Sequence, residues 1–160
     1  MQPIDLQKML QPVFDIVAEG AVDAALAQRL NAAIPAGSDK FQEIEQACLA
    51  AIEAGWMCAE GAQGRRFGRV IQAAPETHDL SVDVVQLEDI IGPHHRHPTG
   101  EICLTMPQTE GAEFDGMGAG WCVNEPGSGH FPTVRGGEAL VLYLLPGGEI
   151  DFTGRKHPKH

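Results

Sequence analysis

Gly92-Pro93-His94-His95-Arg96-His97-Pro98-Thr99-Gly100-Glu101 is answered further along the chain by Pro126-Gly127-Ser128-Gly129-His130. Alternate residues of an extended strand share a face, so His95 and His97 can present two imidazoles to one side. The Pro98-Thr99-Gly100 turn lets Glu101 swing back toward them as the next strand begins. His130 leaves a second glycine-rich turn and can supply a third imidazole. Three imidazoles and one carboxylate around a point form a site for a divalent transition metal, with room left for water or substrate.

Three histidines in four residues can also be a surface cluster, or a chance metal binder like the His157 and His160 tail. Against that stand Gly92-Pro93 before the cluster, the turn after it, and a carboxylate where a folded-back strand would put one. His94 falls on the opposite pleat face with Arg96, as a residue behind the ligands. A register shifted by one residue would instead make His94 the ligand in place of His95 and His97.

Outward from this segment the pattern is strand-like. The runs 67–73, 80–87, 101–106, 120–123 and 139–145 are rich in β-formers and separated by Gly, Pro, Asp or Asn. Such spacing predicts an antiparallel sandwich or small barrel rather than βαβ units. The run Ala139-Leu140-Val141-Leu142-Tyr143-Leu144-Leu145 reads as a strand covered on both faces. Pro146-Gly147-Gly148 turns the chain into a last short strand, 149–152, and the tail 155–160 reads as frayed.

Before residue 60 the apolar spacing is helical. Leu6, Met9, Leu10, Val13 and Val17 mark one stripe, in which Pro12 must kink the helix or fall in its first turn. Val22, Leu26, Leu30 and Ile34 mark a second. A third runs from Asp39, read as an N-cap with Gln42 in the capping-box position, to Gly55. These helices read as scaffold or as an oligomer contact, and a homodimer through them stays open.

The organisation predicted is one domain: a helical segment over 1–60, a β-barrel over 61–154, and the tail. At 160 residues the chain can bury a core without disulfides or structural metal. A net charge of −11 argues against a nucleic-acid partner. Arg65-Arg66 and Arg69 form the only dense basic cluster, too small for a polyanion and large enough for one carboxylate. Cys48, Cys58, Cys103 and Cys122 make no CxxC pair and read as buried thiols in a reducing compartment. With no apolar stretch near the ~18 residues that span a bilayer, and no signal-peptide pattern at Met1-Gln2-Pro3-Ile4-Asp5, the expectation is a cytoplasmic protein with no membrane partner.

HxHxxxE followed by a PGxxH turn resembles the two metal-binding motifs of the cupins, which are antiparallel β-barrels of the jelly-roll type. The resemblance implies an α+β, mainly β fold, a cupin-type barrel preceded by the helical segment. It gives His95, His97 and Glu101 from the first motif and His130 from the second as ligands of one divalent metal; Zn, Fe, Mn and Ni are not distinguished. The chain departs from the cupin pattern at Asp89, where a glycine is usual, and at Val134, where an asparagine is usual.

More narrowly, the helical start, Gly64-Arg65-Arg66-Phe67-Gly68-Arg69-Val70, the GPHHRHPxGE segment and Val134-Arg135-Gly136-Gly137 leading to Leu142-Tyr143-Leu144-Leu145-Pro146-Gly147-Gly148 resemble a small bacterial family of 4-hydroxylaminobenzoate lyases. That implies a metal-dependent, ammonia-releasing lyase of nitroaromatic catabolism, converting 4-hydroxylaminobenzoate and water to 3,4-dihydroxybenzoate and ammonia. A small aromatic carboxylate needs a cation across the pocket, best a guanidinium. Arg69 is the first choice, since Phe67, Arg69 and Ile71 would share a strand face, and Arg66 the second. Arg69 can equally be a solvated strand residue. Tyr143 reads as a core residue or a proton donor, Glu101 as a ligand or a general base, and Trp121, like Trp56, as core or a ring-stacking wall. Two competing readings share the ligand set: a cupin dioxygenase acting on a small aromatic or organic acid, and a non-catalytic cupin that binds a small acid. An exposed apolar stripe on the Leu6-to-Val17 helix would favour the last.

Overall fold

The computed structural model describes residues 1–157. Three helices come first: α1 (Pro3–Ala18), α2 (Ala24–Ala33) and α3 (Asp39–Ala54). Pro3 takes the first turn of α1, where a missing N–H costs nothing, and Pro12 lies inside the helix. Asp23 caps α2 by accepting from the Leu26 N–H at 3.1 Å. The cap of α3 is Ser38, not Asp39: its hydroxyl accepts from the Phe41 N–H at 3.3 Å. A serine one residue earlier reaches the third amide, and Asp39 then lies in the first turn, where the helix dipole favours its charge.

Ten strands follow: β1 (Glu60–Ala62), β2 (Arg65–Ile71), β3 (Leu80–Ile91), β4 (His95–His97), β5 (Glu101–Pro107), β6 (Glu113–Phe114), β7 (Gly120–Asn124), β8 (Ser128–His130), β9 (Thr133–Pro146) and β10 (Asp151–Phe152). The two-residue β6 and the three-residue β1 and β8 are too short to leave a propensity signal and are not predicted from sequence. All pairings are antiparallel. One sheet runs β1-β2-β3-β9-β5-β7 with β6 also on β9, and a second runs β10-β4-β8. The two sheets face each other as a jelly-roll barrel, mainly β, with the helices outside it.

β9 shows how the layers form. Leu140, Leu142 and Leu144 point outward and pack with Leu6, Leu10, Phe14, Leu26, Leu30 and Ile44 of the helices. Ala139, Val141, Tyr143 and Leu145 point into the barrel with Leu87, Cys103 and Phe114. Period-two alternation on a strand covered on both faces therefore feeds two separate cores. The α1 stripe is buried in the first of them, so it offers no apolar docking face.

A bulge in β2 breaks the face expected to hold Phe67, Arg69 and Ile71. Arg69 pairs with Asp83 and Ile71 with Val82, leaving Val70 as the extra residue. Ile71 consequently joins the helix-side core while Phe67 and Arg69 line the interior. After β10 the chain continues to His157 without regular structure, and the His157 ring rests 5.0 Å from that of Phe131. The end of the expected frayed tail, 158–160, lies outside the described residues. Among the described residues no helix is long and apolar enough to cross a membrane.

Candidate metal centre

β4 buries His95 and His97 and exposes Arg96 between them, as alternation demands. β8 lies beside β4 with His130 directly opposite His95, which brings the third imidazole to the same face. Glu101 opens β5 after Gly100, whose φ of +94° only glycine adopts freely and whose absent Cβ leaves room for Val22. One ligand atom from each of His95, His97, Glu101 and His130 lies within 4.8 Å of the other three. Glu101 Oε2 stands 3.1 Å from Nε2 of both His95 and His97, and His130 Nε2 stands 3.0 Å from His95 Nε2.

Three of the four side chains are oriented from behind. The Asp115 carboxylate takes the Nδ1–H of His130 at 2.5 Å and also accepts from the Thr133 N–H at 2.9 Å. Ser128 donates to the Glu125 carbonyl, so its oxygen accepts the Nδ1–H of His97 at 3.1 Å. Asn124 and Cys103 both donate to Glu101 Oε1, at 3.0 and 3.1 Å. With Nδ1 engaged on His97 and His130, each ring turns Nε2 toward the common focus.

These residues fit a metal. His97 Nε2 is fully buried and makes no hydrogen bond, because its approach to Glu101 is misaligned despite the short distance. A buried nitrogen left without a partner carries a desolvation cost that a cation at the focus would remove. Three imidazole nitrogens and one carboxylate suit a first-row divalent ion.

The electrostatics pair an ionised Glu101 with a protonated His130. Burial pushes the Glu101 carboxyl up, but the close imidazoles of His130, His95 and His97 outweigh it and hold the group well below the ordinary carboxylate range. Burial pulls His130 down, yet the bonds to Asp115 and Glu101 prevail and raise it to about 9. Burial, with the Glu101 charge nearby, pushes the Tyr143 phenol well above its usual value, so it keeps its proton.

Beside the centre lies a largely apolar cavity of about 180 Å³, reached by His95 and Tyr143 on one side and by Arg65, Phe67 and Arg69 of β2 on another. Val85, Leu87, Pro93, Pro132, Ile150 and Phe152 complete most of its wall. Tyr143 faces this space, its ring 6.3 Å from that of His95. Arg69 also faces it, but its guanidinium grips Asp83 through Nε at 2.7 Å and Nη2 at 3.3 Å, and the Gly148 carbonyl at 2.9 Å.

Two expected placements differ. Arg66 points to the other face of β2, among Gln86, Glu88 and Glu138, because adjacent strand residues alternate. Trp121 lies in the helix-side core with its Nε1–H on the Ile34 carbonyl at 3.1 Å, so it cannot wall the cavity. His94 stays outside the cluster, as expected of the unshifted register, with its Nδ1 2.7 Å from Thr153 Oγ1. Asp115, Ser128, Asn124 and Cys103 are not legible as partners in the sequence. Asp115-Gly116 shows only a turn, and nothing local ties it to His130.

The chain matches the PnbB 4-hydroxylaminobenzoate lyase family over residues 8–152. It is 30% identical over 159 residues to a 4-hydroxylaminobenzoate lyase of Nocardioides sp. (strain LMS-CY), covering 94% of each chain. It is 27% identical to the Pseudomonas putida 4-hydroxylaminobenzoate lyase, covering 85% of this chain and 87% of that one. Among solved structures, an RmlC-like cupin protein from Ralstonia eutropha JMP134 matches with a TM-score of 0.43 and 12% identity, over 57% of this chain and 62% of its own. A match running from the first helix through the last strand takes in all four converging side chains, and the chain belongs to the 4-hydroxylaminobenzoate lyase family.

Proposed function

We propose that this chain converts 4-hydroxylaminobenzoate and water to 3,4-dihydroxybenzoate and ammonia, with His95, His97, Glu101 and His130 holding one divalent transition metal. The observation that carries this is the convergence of four ligand atoms beside an apolar cavity, in a chain of this family. The reaction balances without an external oxidant or reductant: the N–O and C–N bonds break, two ring C–O bonds form with one oxygen supplied net by water, and nitrogen leaves as ammonia. A bound dication would supply Lewis acidity, stabilising negative charge on substrate oxygen and lowering the pKa of water.

The protein's own groups support the rest. Asp115 and Ser128 fix the ring orientation of His130 and His97, so the focus costs little reorganisation during turnover. Tyr143 stays protonated and can donate a hydrogen bond to the departing group. Glu101 stays ionised, as either a ligand or a base requires. The apolar wall receives the aromatic ring and excludes bulk water. Four free thiols support a cytoplasmic setting.

The test is metal analysis of purified protein joined to an anaerobic assay that follows ammonia release from 4-hydroxylaminobenzoate. Ammonia formed without oxygen, lost on chelation and restored by a divalent metal, is the expected result. Stoichiometric oxygen uptake would instead select the dioxygenase reading. Full turnover by chelator-stripped protein would remove the metal from the proposal, and no turnover by metal-loaded protein would leave a small-acid binder.

A further inference from the structure

Two guanidiniums of β2 reach the cavity, and they are not equivalent. Arg69 is committed, its donors spread over both Asp83 oxygens and the Gly148 carbonyl. It ties β2 to β3 and to the turn after β9, and Asp83 already balances its charge. Arg65 is half-buried, with its guanidinium carbon 4.5 Å from the centre of the Phe67 ring. Among the described residues no carboxylate oxygen lies within 4.0 Å of its nitrogens, Glu60 and Asp83 of the cavity wall included. A guanidinium laid on an aromatic face keeps its planar edge free for a carboxylate, which it meets through two parallel hydrogen bonds.

We propose that Arg65, stacked on Phe67 at the cavity wall, binds the carboxylate of the aromatic substrate. The sheet order gives the arm the right position. β2 is separated from β9 only by β3, and Arg65 registers through Leu87 with Ala139, four residues along β9 from Tyr143, so its backbone stands roughly 10 Å across the strands and roughly 13 Å along them from Tyr143, a span for an extended arginine and a benzoate together. A benzoate ring then lies against Phe67, Val85 and Leu87, its carboxylate on Arg65 and its nitrogen substituent toward His95 and Tyr143. Arg65 thereby selects an acid over a neutral arylhydroxylamine. This rests on the lyase reading only for the identity of the ring substituent; recognition of an aromatic carboxylate does not need it.

The experiment has two arms on the full-length, metal-loaded protein. Calorimetry measures benzoate and 3,4-dihydroxybenzoate binding to the parent protein and to Arg65→Met, Arg65→Lys and Arg69→Met, each first shown to be folded at the temperature of measurement. Arg65→Met should weaken benzoate binding by about 10- to 100-fold, as loss of a charge-assisted hydrogen bond would. Arg65→Lys should recover part of it, and Arg69→Met should leave affinity within a few-fold. In the kinetic arm, Arg65→Met should raise KM for 4-hydroxylaminobenzoate by a similar factor with kcat little changed, and leave kcat/KM for phenylhydroxylamine as in the parent. Benzoate affinity unchanged in a folded Arg65→Met, or no benzoate binding by the parent, overturns the proposal. An equal loss with phenylhydroxylamine overturns it as well. If the parent releases no ammonia yet binds benzoate through Arg65, the lyase reading fails and the carboxylate site stands.

Discussion

His130 Nδ1 and Asp115 Oδ2 lie 2.5 Å apart, joining the last of the four converging side chains to a residue fifteen positions earlier. Asp115 holds a left-handed φ of +50° and is fixed to Thr133 at both ends: its amide donates to the Thr133 carbonyl, and its Oδ1 accepts the Thr133 N–H. The Thr133 end of β9 therefore positions the carboxylate that orients the His130 ring.

Removing that link should loosen the metal without unmaking the site. Asp115→Ala is expected to weaken metal affinity by about 10- to 100-fold, the usual cost of losing a carboxylate behind a ligating histidine. Competition against a chromogenic chelator measures it. Unchanged affinity would show that Asp115 does not act on the metal through His130.

Loss of a ligand should be more severe. His97→Ala leaves three donors, and forfeiting several kcal/mol of charge stabilisation corresponds to a rate loss on the order of 10³-fold. Ammonia release and bound metal, determined on the same sample, should fall together. Retained activity would place the metal outside this cluster.

His130 also sets a pH dependence in the metal-free protein. Its folded value of about 9 lies above the ordinary 6.5 expected when unfolded. The folded state therefore holds the proton more tightly, and the stability gained is fully present below pH 6.5 and lost as pH rises through about 9. Thermal melts of chelator-stripped protein from pH 6 to 10 should fall across this window more steeply than those of His130→Asn. Since a metal must displace the same proton, affinity should rise with pH over the same range.

Arg69 and Asn31 should matter for stability rather than chemistry. Arg69→Ala removes a partly exposed clamp and is expected to cost about 1 kcal/mol or less, with KM little affected. Asn31 of α2 accepts from the Trp121 N–H at 3.0 Å and donates to the Trp121 carbonyl at 2.9 Å, closing the outer edge of β7. Asn31→Ala strands both groups and should cost about 1–3 kcal/mol. For a chain of this size that lowers the melting temperature by roughly 2–4 °C per kcal/mol, with kcat retained by the metal-loaded variant.

What could be read from the sequence was what depends on neighbours along the chain. His95 and His97 share a face because side chains alternate on a strand, and Glu101 follows because a glycine turn reverses the chain. The helical stripes and the doubly apolar run 139–145 followed from periodicity in the same way. The Ser38 cap was displaced by one residue because Ser and Asp both cap well and stand side by side.

Other features depended on which surfaces meet. Whether Trp121 walls the cavity or packs beneath α2 turns on which face of the sheet the helices cover, and no local pattern encodes that choice. The β2 bulge sends Ile71 to the other face, and Asp83, fourteen residues from Arg69, captures its guanidinium. Arg65 and Arg69 look alike in sequence and differ only through partners contributed by other strands. Periodicity and turn chemistry thus specified the strands and the ligand types. Tertiary packing decided which donors converge and which charges, like that of Arg69, are already satisfied, because burial and pairing arise between segments distant in the chain.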